Sequence, residues 1–278
     1  MGKLAFRGGA EVAGVVLPRL GVGAIILWAV AAALRTRIEI PARRWPQLLS
    51  MGILSAAVGL LLFGAVERIP ASTTTLLLYA HPAMVSVIVV LLGRERMSAS
   101  KLVALALGLG GVALVVGAPV EGLDPVGAGL ALGAALMLAL YVVVAQTGSA
   151  GISPLIAGAI ALTVATALYL PIALAGGGLA STGSSWWWVL GVGAATGSGV
   201  ALFLAALSRL GPIRATIGAT VEPVTAVVLG AVLLAERLAA IQLLGGLLVV
   251  TAVTMLPFTR RAAEPPEAER APSSLPRR

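Results

Sequence analysis

The chain contains no cysteine, a single histidine and only four phenylalanines in 278 residues. Without thiols there are no disulfide frameworks, thiolate metal sites or cysteine nucleophiles. Charge is scarce too: 11% of residues are Asp, Glu, Lys or Arg against 59% hydrophobic, and the mean hydropathy is +1.04. So little polar surface cannot cover a soluble domain of this length, which makes the chain an integral membrane protein. The net charge of +8 would suit nucleic acid, but the basic residues sit at segment ends and in the C-terminal tail, never interleaved with aromatics. That is a pattern of membrane topology, so the expected partner is the lipid bilayer and not nucleic acid. HExxH, a phosphate-binding lysine loop and paired acids for diphosphate are all missing, and no metal or cofactor is expected.

What is present is a succession of apolar runs, each about 20 residues long as a helical span requires. They cover about 12–34, 46–66, 71–92, 99–117, 126–146, 153–174, 185–207, 214–234 and 239–258. The runs are apolar on all sides, whereas membrane strands alternate, so helices are expected. Pro41, Pro70, Pro125, the glycines at 176–178 and Gly211-Pro212 punctuate them. Residues 259–278 are rich in Pro, Glu and Arg and read as a disordered tail.

The chain repeats itself at an offset of 141. Pro82 falls on Pro223, Glu95-Arg96 on Glu236-Arg237, Arg68 on Arg209 and Trp45 on Trp186. The span at 126–146 would map ahead of Met1, so the expected plan is two five-helix units with most of the first helix missing, leaving about nine helices. The units divide at 118/119: residues 1–118 form the shortened first unit, 119–258 the second. Arg35, Arg37, Arg43, Arg44, Arg94, Arg96, Lys101, Arg209, Arg214 and five tail arginines fall in alternate loops and the tail. These segments, the C-terminus included, are expected in the cytoplasm. An odd number of crossings per unit then inverts the second copy, the arrangement that supports alternating access.

The segments PASTTTLLLYAHPAMVSVIVVLLGRERMSASKL and GPIRATIGATVEPVTAVVLGAVLLAERLAAIQL, each with a mid-helix Pro about a dozen residues before an Arg-Glu-Arg or Ala-Glu-Arg triplet, resemble the EamA-type members of the drug/metabolite transporter superfamily. The resemblance implies an all-α, ten-helix membrane fold of two inverted repeats, a central cavity, and movement of small metabolites, often as export across the cytoplasmic (inner) membrane. A homodimer is left open.

Ionisable side chains within spans are costly and commonly functional. His81 and Glu222 correspond at the offset, each directly before the repeated proline, Pro82 or Pro223. At ~1.5 Å per residue both fall near mid-bilayer. Each proline frees the carbonyl four residues earlier, which can then face a cavity and accept a hydrogen bond. Glu222 is a candidate proton carrier or a structural carboxylate; His81 is its candidate partner or a satisfied core residue. Arg19 either snorkels outward or supplies fixed positive charge to an anionic solute. Tyr79, Tyr141 and the hydroxyls of Thr73, Thr163, Thr166, Thr196, Thr216 and Thr220 complete a lining suited to zwitterionic or weakly polar solutes, although many hydroxyls should bond their own helices. Gly129/Gly133 and Gly193/Gly197 are spaced for close helix packing, and Trp186–Trp188 for anchoring at the interface.

The function expected is secondary transport of amino-acid-like compounds or drugs. A passive channel is the alternative. An intramembrane enzyme, resting on Gly197-Ser198-Gly199 with His81, is the weakest reading.

Overall fold

The computed structural model describes residues 12–116, 124–175, 186–225 and 240–255. The expectations for Glu236-Arg237, the glycines at 176–178 and the tail lie outside these residues. Within them the chain is helical, with no strand. In order the helices are α1 Val12–Ala33, α2 Trp45–Val66, α3 Ala71–Leu78, α4 His81–Leu91, α5 Ala99–Val116, α6 Pro125–Gly148, α7 Pro154–Ala175, α8 Trp186–Leu210, α9 Pro212–Ala219 and α10 Ala240–Met255. A further helical turn covers 221–225. Among the described residues five helical spans are long and apolar enough to cross a membrane: Ala42–Val66, Thr73–Leu91, Pro125–Gly148, Pro154–Pro171 and Leu190–Leu210. Shorter apolar helices at Leu17–Ala33, Ala99–Leu114 and Leu243–Met255 accompany them. In lipid such segments are helical because each backbone donor must find its acceptor within the segment.

Helix ends follow local chemistry. Asp124 caps α6, its carboxylate accepting from the Val126 and Gly127 amides at 3.2 and 3.3 Å, with Pro125 in the first turn. After α4, Gly93 takes φ +64° and the Arg94 amide reaches back to the Val89 carbonyl at 3.0 Å, a Schellman closure. Gly211, at φ +79°, turns α8 sharply into Pro212 at the start of α9.

Packing obeys the repeat. Under the 141 offset α1 corresponds to α7, α2 to α8, α3–α4 to the segment from α9 onward, and α5 to α10. The pairs α1·α7 and α5·α10 each join a helix to its own counterpart, and α1·α8 mirrors α2·α7. The mirrored contacts rest on glycine. A Cβ at Gly52 of α2 would lie 2.4 Å from the Cβ of Val164 on α7, and one at Gly193 of α8 would lie 2.4 Å from a Val22 methyl on α1. Gly193 and Gly197 both close on Gly23, so that glycine pair packs as its spacing predicts. The other pair does not: a Cβ at Gly129 meets nothing within 4 Å, and one at Gly133 meets only a Leu61 methyl at 3.5 Å.

The connecting segments cluster at the two ends of the helices. At one end Arg44 donates to the Thr147 carbonyl, Arg94 donates to the Val143 carbonyl at 3.3 Å, and Glu95 faces Gly211. At the other, Arg68 pairs with Asp124 at 3.6 Å. Glu95 also holds Lys101 at 2.9 Å, a contact inside the turn between α4 and α5.

Candidate functional site

Both repeats interrupt a helix at the same place. In the first, α3 ends at Leu78, Tyr79 and Ala80 form a turn, and α4 restarts at His81. In the second, α9 ends at Ala219, Thr220 forms the turn, and helix resumes at 221. The span expected as one run over 71–92 is therefore two half-helices. Proline is the cause: Pro82 has no N–H to give the Leu78 carbonyl, and Pro223 none for the Ala219 carbonyl. In the first repeat the freed carbonyl has found a donor, since the Nδ1–H of His81 lies 3.0 Å from Leu78 O. His81 is buried, and its place is that of a side chain closing the break.

The two breaks meet. Tyr79, from the first repeat, packs in one apolar cluster with Val221 and Val224, which flank Glu222 in the second. Tyr79 is buried, with its ring 6.1 Å from that of His81, whereas Glu222 is exposed.

Arg19, in the first turns of α1, is partly buried. The three ion pairs among the described residues, Arg37–Glu39, Arg68–Asp124 and Lys101–Glu95, do not include it. Its Nε is buried and without a hydrogen-bond partner, and so is the Tyr169 hydroxyl. Tyr169 was not singled out from sequence. Its signal was the offset, which pairs it with Trp28, another aromatic with a polar tip; the Trp28 indole donates to the Thr163 hydroxyl at 3.1 Å. The Phe63 ring meets Tyr169 edge-on at 6.3 Å, and Gly59 of α2 leaves room for the phenol, since a Cβ there would come within 2.1 Å of the hydroxyl.

Tyr141 stands apart from this group. It belongs to the largest apolar cluster, among Met51, Val85, Val89 and Leu204. The threonines behave as expected for lipid-embedded helices: Thr163, Thr166, Thr196 and Thr216 donate to carbonyls four residues earlier at 2.7–2.9 Å. Gly197 of the Gly-Ser-Gly motif is used in packing, Ser198 is exposed, and Nδ1 of His81 is engaged at the helix break.

The EamA-like transporter family matches this sequence over residues 1–117 and again over 125–257, one match for each repeat. Among curated proteins none matches. Among solved structures 29 chains match. One crystal structure superposes with a TM-score of 0.75, covering 90% of either chain at 16% identity. That likeness speaks for the fold alone.

Proposed function

Since the chain belongs to the EamA-like transporter family, a family of membrane transporters, we propose that it is a secondary carrier for small metabolites, amino-acid-like compounds or drugs. On this reading it exports them across the cytoplasmic membrane by alternating access, with both repeats, 1–118 and 119–258, closing around the site and the C-terminal tail in the cytoplasm. Glu222 carries the coupling proton. The observation that supports this most is the packing of Tyr79 against Val221 and Val224, which brings the broken helix of one repeat against that of the other beside Glu222. A contact of this kind differs between two arrangements of the repeats and so can couple occupancy of the site to their movement.

Pseudo-symmetry supplies a mechanism. His81 satisfies the carbonyl that Pro82 leaves free, and Glu222 occupies the equivalent position before Pro223. Protonated, Glu222 gains a donor that can turn to the Ala219 carbonyl, as His81 does to Leu78. The proton enters on one side and leaves on the other.

Glu222→Gln tests this. The amide keeps the shape and can still accept a hydrogen bond, but cannot titrate. In proteoliposomes the variant is expected in normal amounts, with solute exchange retained and accumulation driven by a pH gradient lost. Undiminished gradient-driven accumulation would overturn the role of Glu222, and loss of folded protein would assign it a structural one. A passive channel is separated by counterflow: a carrier shows saturable exchange of labelled for unlabelled solute, and a channel does not.

A further inference from the structure

From a cavity at one end of the helices we infer a binding site for the headgroup of an aminophospholipid, with its phosphate on Arg43 and Arg44 and its ammonium on Glu39. The cavity has a volume of about 500 Å³ and is walled by Glu39, Pro41, Arg43 and Arg44 of the α1–α2 connection and by Ala150 and Gly151 of the turn between α6 and α7. That volume lies within the range of small-molecule sites. The inference is independent of the proton role of Glu222.

The surroundings of the cavity suit lipid. Leu34 and Ile38, before the lining residues in the chain, are 67 and 60% exposed, and Trp45 and Leu49, after them, are 44 and 42% exposed. Water disfavours such a group of side chains, whereas the membrane boundary accommodates it: acyl chains meet the aliphatic groups, the indole sits at headgroup level, and neighbouring arginines meet phosphate.

Both charges of the headgroup find a partner in the walls. Arg43 is exposed, and its guanidinium has no hydrogen bond or ion pair with any described residue. Arg44 gives one guanidinium nitrogen to the Thr147 carbonyl in the last turn of α6, which fixes its position and leaves it further donors. Two guanidinium groups on one cavity match the oxygens of a phosphate diester. Glu39 pairs with Arg37 at 3.7 Å, but both side chains are so exposed that this pair contributes little. A carboxylate in the wall repels a headgroup that carries only negative charge, and choline has no N–H to give it. A primary ammonium donates to it directly. Because one wall belongs to each repeat, the bound headgroup bridges the repeats beside the Arg44–Thr147 contact.

The test is thermal unfolding of the delipidated, detergent-purified chain with micellar phosphatidylethanolamine, phosphatidylcholine or phosphatidylglycerol of identical acyl chains, and with inorganic phosphate and glycerophosphoethanolamine as soluble probes. Phosphatidylethanolamine is expected to protect at a concentration roughly fivefold below the other two lipids, as one added hydrogen bond gives. Neither soluble probe is expected to protect. Arg43→Gln removes a phosphate donor, and Ala150→Phe fills the cavity while leaving both arginines; each should raise the phosphatidylethanolamine concentration needed roughly fivefold. Glu39→Ala should level phosphatidylethanolamine with phosphatidylcholine. Arg96→Gln, at an exposed arginine of the same end outside the cavity, should change nothing. Equal protection by the three lipids, protection by none, or an unaltered response in Arg43→Gln or Ala150→Phe would overturn the site, as would an equal loss in Arg96→Gln. A preference that survives Glu39→Ala would refute the ammonium contact. Protection by a soluble probe at the concentration of the lipid would give the cavity to a free phosphate compound and refute the lipid as occupant. Arg43 and Ala150 are exposed, so both variants are expected to fold, and each is judged by its lipid-dependent shift from its own melting temperature.

Discussion

Replacing Lys101 by methionine tests whether the turn between α4 and α5 is held by charge. The Lys101 side chain is 6% exposed and that of Glu95 19%. Its Nζ donates to Glu95 Oε2 at 2.9 Å and to the Arg96 carbonyl at 3.1 Å. Methionine keeps most of the stem and its packing but leaves the partly buried Glu95 carboxylate without a cation. Breaking one side of such a pair costs about 3–5 kcal/mol, most of it the uncompensated charge. Removing both charges, as Glu95→Gln with Lys101→Met, is expected to cost less than the single lysine change, so that the coupling energy exceeds the cost of the glutamate change alone. The other oxygen, Oε1, faces Gly211 at the α8–α9 turn, where a Cβ would stand 2.8 Å away. The expected loss therefore includes docking between the two repeats. The measurement is reversible unfolding of the four proteins in mixed micelles. Single variants within about 1 kcal/mol of the parent, or a double variant as weak as the sum of the singles, would refute the buried-pair argument.

Alanine at Gly52 or Gly193 should destabilise the fold by overpacking, about 1–3 kcal/mol each, whereas alanine at Gly129, which meets nothing, should be neutral or slightly stabilising; thermal unfolding of the three variants checks this, and equal effects would discard the glycine-packing account. A topology reporter fused after Arg44, Lys101 or Thr259 is expected to read cytoplasmic, and one inserted within residues 177–184, which carry no Lys or Arg, external; cytoplasmic signal from the latter would rule out inverted repeats in this orientation.

Much of the architecture was legible because lipid permits few solutions. Apolar runs long enough to span gave helices close to the expected bounds, and proline predicted an interrupted hydrogen-bond ladder at Pro82. The length of the interruption was not legible: one unpaired carbonyl became two half-helices, since the turn at Tyr79 and Ala80 ends α3 before α4 begins. Glycine spacing was informative only where a partner existed. Gly193 and Gly197 meet Gly23, while Gly129 and Gly133 have the same spacing and no close neighbour. Periodicity describes one helix face and is silent about the other helix.

The candidate site divides along the same line. Intramembrane Glu222, His81 and Arg19 stood out in the sequence because charge in lipid is costly wherever the chain places it. Their roles required contacts between residues far apart in the chain. Only the tertiary structure turned His81 to the Leu78 carbonyl, packed Tyr79 with Val221 and Val224 on either side of Glu222, and left Tyr141 in the apolar interior. Membrane class, spans and repeat follow from composition and order, which are local properties. Which residues meet depends on how the helices are brought together, and for α1 with α8 and α2 with α7 that is decided by the close approach of helix backbones at Gly23, Gly52 and Gly193.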